Sequence, residues 1–129
     1  MASSTIYDII VSQGGVAGAE RLGRSKYLKK LLKEQKESGR IYGGICSSPV
    51  ILQKHGLLKD KIATAHPSAV NKLTGQVTDR ADIVIDGNLI TCKGLETVIE
   101  FSMAIIHKLF GHGRARSLAE GIVFEYEVK

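Results

Sequence analysis

The sequence predicts an α/β protein built on a mainly parallel sheet, and three observations carry that prediction. Ile6-Tyr7-Asp8-Ile9-Ile10-Val11 is almost continuously apolar, as a strand is when both faces of its sheet are covered. Strand-like runs then alternate with amphipathic helical patterns, in the order β-α-β-α-β, before a hairpin and a long helix. Finally, a short apolar run, Arg40-Ile41-Tyr42, enters Gly43-Gly44-Ile45, Cys46 sits at the turn, and a helix-starting Ser47-Ser48-Pro49 follows. A strand, a tight turn, a sulfur and a helix N-terminus are the parts with which an α/β chain presents a nucleophile.

The remaining elements follow in order. Ser12-Gln13-Gly14-Gly15-Val16-Ala17-Gly18 reads as a glycine loop leaving the first strand. Ser25 caps a helix to about Glu37, with Leu28, Leu31, Leu32 and Gln35 on its inward face and Ser38-Gly39 ending it. The helix after Cys46 runs from about Ser47 to Lys54, with Pro49 in its first turn and Gly56 beyond its end. Lys61–Ala65 is a short strand ending at His66-Pro67, and Asp82–Cys92 is a hairpin with Asp86-Gly87 at the turn. Helix Leu95–Phe110 has the strongest periodicity, through Leu95, Val98, Ile99, Ser102, Met103, Ile106, Leu109 and Phe110, and a short helix covers Arg114–Glu120.

Bulk properties narrow the function classes. A length of 129 residues predicts one domain, 1–129, large enough for a core without disulfides or metal. No apolar run approaches the ~20 residues of a membrane helix. Two cysteines, Cys46 and Cys92, are too few for a disulfide framework and fit a reducing compartment. The start Met-Ala-Ser-Ser-Thr-Ile has neither a basic n-region nor an apolar h-region, so the expectation is a cytoplasmic protein without a secretory signal. The net charge of +5 comes largely from Lys26, Lys29, Lys30, Lys33 and Lys36, which recur at helical spacing and read as a solvated face rather than a nucleic-acid surface. The opening strand has nothing ahead of it to cover its edge, as though a preceding βαβ unit were missing.

Three features converge on the C-terminal edge of such a sheet, where open α/β folds place ligands. Cys46 is the candidate nucleophile, its thiolate favoured by the amides of Ser47 and Ser48 and by the helix N-terminus. Gly14 and Gly15 let a loop bring its N–H groups close to a substrate, so the amides of Gly15 and Ser47 form a candidate oxyanion site. His66 is placed to pair with the thiolate or to move a proton. The bland readings are a small packed cysteine, an ordinary glycine turn and a histidine that merely ends a strand. Cys92 reads as packed inside a hairpin strand. His55, His107 and His112 share no metal-ligand spacing and read as structural or surface.

Several segments resemble a known family in order along the chain. Tyr7-Asp8-Ile9-Ile10-Val11 with Gly14-Gly15 and Gly18-Ala19 is similar to the first strand and glycine loop of the ThiJ/PfpI family, in its parkinsonism-associated deglycase branch. Gly44-Ile45-Cys46-Ser47-Ser48-Pro49 resembles its nucleophile elbow. Gly56-Leu57-Leu58-Lys59, Ala63-Thr64-Ala65-His66-Pro67, Asp86–Thr91 and Glu100–Ile106 continue the likeness, which extends from about Ile6 to Val123. The tail Phe110–Gly121 looks most like plant members, some of them plastid proteins, so a chloroplast location is the alternative if a longer precursor exists.

The resemblance implies a flavodoxin-like three-layer sandwich, class I glutamine amidotransferase-like, and homodimeric or paired with another copy. It implies a cofactor-independent, cysteine-dependent glyoxalase III or protein deglycase acting on methylglyoxal-type dicarbonyls, in the setting of oxidative stress. The family's cysteine maps to Cys46, its histidine to His66, and its oxyanion amides to Gly15 and Ser47. There are departures. Roughly the first third of the family domain has no counterpart here, and with it goes the glutamate that relays the proton. Leu-Pro before the glycine pair is Ser12-Gln13, and Ser-Arg of the later strand is Cys92-Lys93. Loss of that acid would lower proton transfer by about 10²–10⁴-fold. The alternative function is therefore a catalytically impaired, redox-responsive or chaperone-like relative.

Overall fold

In a computed structural model that describes residues 7–12, 15–74, 76–77 and 81–122, the elements run β1 (Ile9–Ser12), α1 (Val16–Gly23), α2 (Lys26–Ser38), β2 (Ile41–Ile45), α3 (Pro49–Lys54), β3 (Ile62–Ala63), β4 (Gln76–Val77), β5 (Ile83–Asp86), β6 (Leu89–Cys92), α4 (Val98–Phe110) and α5 (His112–Gly121). Short 3₁₀ turns occupy Val70–Lys72 and Leu95–Thr97. The main sheet has the order β1-β2-β6-β5. β1 pairs in parallel with β2 and β2 with β6, while β5 and β6 form the antiparallel hairpin. The α/β architecture with a mainly parallel sheet is thus the one the sequence predicts.

Alternation along the strands divides the core into two layers, because successive side chains leave a strand on opposite faces. Tyr42 and Leu89 pack with Leu32 of α2 and Leu52 of α3, with Ile10 against them. Ile41, Ile90 and Cys92 pack on the other side with Phe101 of α4, joined by Ile9, Val11 and Ile45. Helices therefore cover both faces of the sheet.

Polar anchors fix the strands in place. The Tyr42 hydroxyl, fully buried, donates to the Leu57 carbonyl at 2.8 Å. Burial, helped by the charge of Asp86, pushes that phenol up to about 12, so it remains a donor throughout the physiological range. Gln35, buried on α2 as predicted, donates to the Tyr7 and Ile41 carbonyls and ties helix to sheet. Ser25 caps α2 through Leu28 N–H at 3.1 Å, and Gly39 closes it at φ +77°, a conformation that suits glycine.

The structure corrects five expectations. The first strand, read as fully buried, is a half-buried edge in which only Ser12 is buried. The stretch read as a glycine loop includes the start of α1. Lys61–Ala65 does not join the main sheet; its strand part, β3, pairs in parallel with β4, an element the sequence reading did not anticipate. The hairpin turns on Gly87 and Asn88, since Asp86 is already paired with Leu89. In α4 the buried residues are Phe101, Met103 and Ala104, while Ile99, Leu109 and Phe110 are exposed. That helix packs on β6 along one side and on α5 along another, which turns the apolar stripe away from the direction periodicity alone indicates. Ile6, Gln13, Gly14 and Val123 lie outside the described residues.

His55, at the end of α3, has a buried Nε2 with no hydrogen-bond partner. Burial, then the charges of Lys29 and Lys54, hold its imidazolium below the ordinary 6.5. The neutral form is favoured in the fold, so this stabilisation is complete above pH 6.5 and is lost as pH falls through the lower folded value. Thermal midpoints of the wild type are expected to fall more steeply on the acid side than those of His55→Gln. Parallel curves would contradict this account.

Candidate functional site

Because β1, β2 and β6 run parallel, their C-terminal ends lie along one edge of the sheet. That edge carries Ser12, Cys46 and Cys92. Cys46 directly follows β2 and has φ +59°, one of two described non-glycine residues with positive φ. A left-handed conformation costs a side-chain-bearing residue roughly 1–2 kcal/mol and persists only where neighbours enforce it. Both main-chain groups of Cys46 are so enforced. Its N–H donates to the Cys92 carbonyl at 3.1 Å, and its carbonyl accepts from His66 N–H at 2.8 Å. The thiol is half-buried.

Ser48 completes the elbow. Its hydroxyl accepts from Ile45 N–H at 2.8 Å and donates to the Ser12 carbonyl at 2.6 Å, with the Ile45 carbonyl at 2.9 Å. One fully buried oxygen thus ties the end of β1, the end of β2 and the start of α3. From its sequence position alone Ser48 reads only as a helix-starting amide. Gly44 makes room for it, since a Cβ there would stand 2.8 Å from the Ser48 oxygen.

The expected site residues fall as follows. Ser47 is buried directly after Cys46, and Gly15 is the residue before α1, with its carbonyl accepting from Ala19 N–H at 2.9 Å. Gly14 lies outside the described residues. The His66 main chain is tied to Cys46, while its exposed ring turns to Ser68. His66 Nδ1 accepts from Ser68 N–H at 3.1 Å and lies 2.8 Å from the Ser68 hydroxyl. An accepting Nδ1 places the proton of the neutral ring on Nε2, so the ring offers Nε2–H as a donor. Ser68 was not anticipated, although its position two residues after a histidine is a local signal for such a bond.

Cys92 is fully buried at the end of β6, the strand beside β2. Burial raises its thiol above the ordinary 9.0; the Thr97 hydroxyl and the amides of Cys46 and Gly94 offset part of that, and the charge of Cys46 adds to it. Beside the elbow lies a cavity of about 240 Å³, lined by Ser47 and Ser68 and rimmed by Arg24, Lys54, Lys72 and Glu20. Neither Cys46 nor His66 is among its walls. Among the described residues no cluster of three metal-ligating side chains is present, and no helix is long and apolar enough to cross a membrane.

Comparison with known proteins is in keeping with this geometry. The chain is 43% identical over 120 residues to Protein DJ-1 homolog B of Arabidopsis thaliana, covering 92% of this chain and 27% of that protein. It is 34% identical over 114 residues to the glutathione-independent glyoxalase DJR-1.2 of Caenorhabditis elegans, covering 87% of this chain and 60% of that one. The crystal structure of Drosophila melanogaster DJ-1beta superposes with a TM-score of 0.90 at 34% identity, over 95% of this chain and 67% of that one. The chain therefore spans under a third of the Arabidopsis relative and about two thirds of the fly protein. The DJ-1/PfpI family profile matches residues 2–108, and the chain belongs to that family.

Proposed function

We propose that Cys46 is the nucleophile of a glutathione-independent reaction on small dicarbonyls, of the glyoxalase or deglycase type. The observation that carries this reading is the positive φ of Cys46, pinned by hydrogen bonds to Cys92 and His66 at the end of a parallel strand. Strain held in this way at the C-terminal edge of the sheet serves to aim a sulfur out of the turn. The comparison with a named glyoxalase supports the same chemistry at the level of the family.

In this mechanism the Cys46 thiolate adds to the aldehyde carbon of methylglyoxal and gives a hemithioacetal. Its oxyanion is met by the amides of Gly15 and Ser47, and His66, whose main chain is tied to Cys46, supplies the nearby Nε2–H donor. A proton then moves between the adjacent carbons, and water releases lactate and the free thiol. The substrate set extends to early glycation adducts, and the working form is a homodimer.

The test is the conversion of methylglyoxal to lactate without glutathione. Turnover by the wild type is expected to fall to the uncatalysed background in Cys46→Ala. Equal rates for the two proteins would overturn the reading. A second reading, a redox-responsive protein, is favoured by one feature: the main-chain hydrogen bond that places Cys46 beside a second cysteine.

A further inference from the structure

We propose that Cys92 is the resolving partner of Cys46: a hydroperoxide oxidises Cys46 to the sulfenic acid, and Cys92 then closes an intramolecular disulfide with it. The inference rests on Cys46 being the reactive sulfur, as proposed above, and adds a partner and a regulation to that site.

Geometry is the first support. Cys92 is the register partner of Ile45, and the Cys46 N–H donates to the Cys92 carbonyl at 3.1 Å. A main-chain hydrogen bond between two residues holds their α-carbons near the separation of about 4.4–6.8 Å over which disulfides form. Cys46, through its charge and its amide, is among the influences on the Cys92 thiol.

Unequal exposure is the second support. Cys46 is half-buried and can meet a peroxide from solvent, whereas Cys92 is fully buried and cannot be reached by a thiol of another molecule. The chain has only these two cysteines, so Cys92 is the one thiol available to Cys46 from within. Burial keeps Cys92 protonated and unreactive on its own. The Thr97 hydroxyl and the amides of Cys46 and Gly94 favour its charged form and offset part of that burial.

The steps balance. The Cys46 thiolate attacks one peroxide oxygen, the O–O bond breaks, and the departing hydroxide takes up a proton as water. The Cys92 sulfur then attacks the Cys46 sulfur, the S–O bond breaks, and hydroxide leaves with the Cys92 proton as a second water. Two thiols and one peroxide become one disulfide and two waters, the two electrons going to the peroxide. Without a resolving thiol, a second peroxide carries the sulfenic acid on to sulfinic acid, which ordinary thiols do not reduce. The disulfide instead withdraws the nucleophile reversibly.

The test treats the full chain with one equivalent of hydrogen peroxide, blocks free thiols, and maps peptides without reduction. The expected product is a Cys46–Cys92 linked peptide, with loss of two hydrogens from the intact chain and full recovery of both thiols by dithiothreitol. In Cys92→Ser, treated with two or more equivalents, Cys46 is expected to go on to sulfinic acid with no internal link. Sulfinic Cys46 with free Cys92 in the wild type, or a Cys46–Cys46 link between chains, would overturn the resolving role and leave the reactivity of Cys46 intact. An unmodified Cys46 would overturn both.

Discussion

Gly43→Ala is expected to abolish cooperative folding, although it adds a single methyl group. Gly43 is the centre of β2 and pairs with Ile90 of β6 in the parallel ladder. A Cβ at this position would fall on the Ile90 carbonyl oxygen, far inside contact distance. That oxygen belongs to a buried strand, so it cannot move aside as a flexible side chain would. Relief requires β2 and β6 to separate, which breaks the ladder that holds Cys46 to Cys92 and opens both core layers. An overpacking clash against backbone is one of the few routes to losses of about 4–5 kcal/mol, which is most of the stability of a small domain. Gly113→Ala is the matched control. It lies inside α5, where a Cβ would meet nothing within 4 Å, and is expected to stabilise by about 0.5–1 kcal/mol. Circular-dichroism melts of the two variants should therefore move in opposite directions. A Gly43→Ala protein melting within a few degrees of the wild type would contradict the close approach of the two strands.

The readable parts of this fold are those whose causes are local. A serine accepting from the third residue ahead and a left-handed glycine after a lysine-rich helix are both contained within a few positions. The elbow at Cys46 was readable for the same reason, because strand, turn and helix start are adjacent in sequence. What escaped depends on contacts distant along the chain. α1 was hidden by Gly18 and Gly23, which weaken a helical pattern; α1 packs against α3, and no periodicity in its own segment announces that contact. β3 was assigned to the main sheet because nothing in its two residues reveals that its partner is Gln76-Val77. The same limit applied within the site. Ser48 reaches Ser12, 36 residues away, and Cys92 meets Cys46 only because β6 is the neighbour of β2. Once strand order is known, both follow from the parallel register.

Cys46→Gly is expected to abolish dicarbonyl turnover while being more stable than Cys46→Ala, and the pairing of those two effects is the informative result. Turnover is lost because the reacting sulfur is gone, as in Cys46→Ala. Stability should separate the two variants. At φ +59° the alanine Cβ keeps the steric cost of the left-handed region, whereas glycine adopts that region freely. After allowance for the greater freedom of glycine in the unfolded chain, the net gain of Cys46→Gly over Cys46→Ala is about 1 kcal/mol, or roughly 4 °C in thermal midpoint. The hydrogen bonds to Cys92 and His66 use main-chain atoms and survive both substitutions, so they do not confuse the comparison. Equal midpoints for the two variants would mean that the elbow holds no strain, and the aiming of the sulfur would need another cause. If glycine is the more stable, the fold is keeping a side chain where backbone preference alone would place glycine. The gain in stability then measures what the chain gives up to present a thiol at this turn.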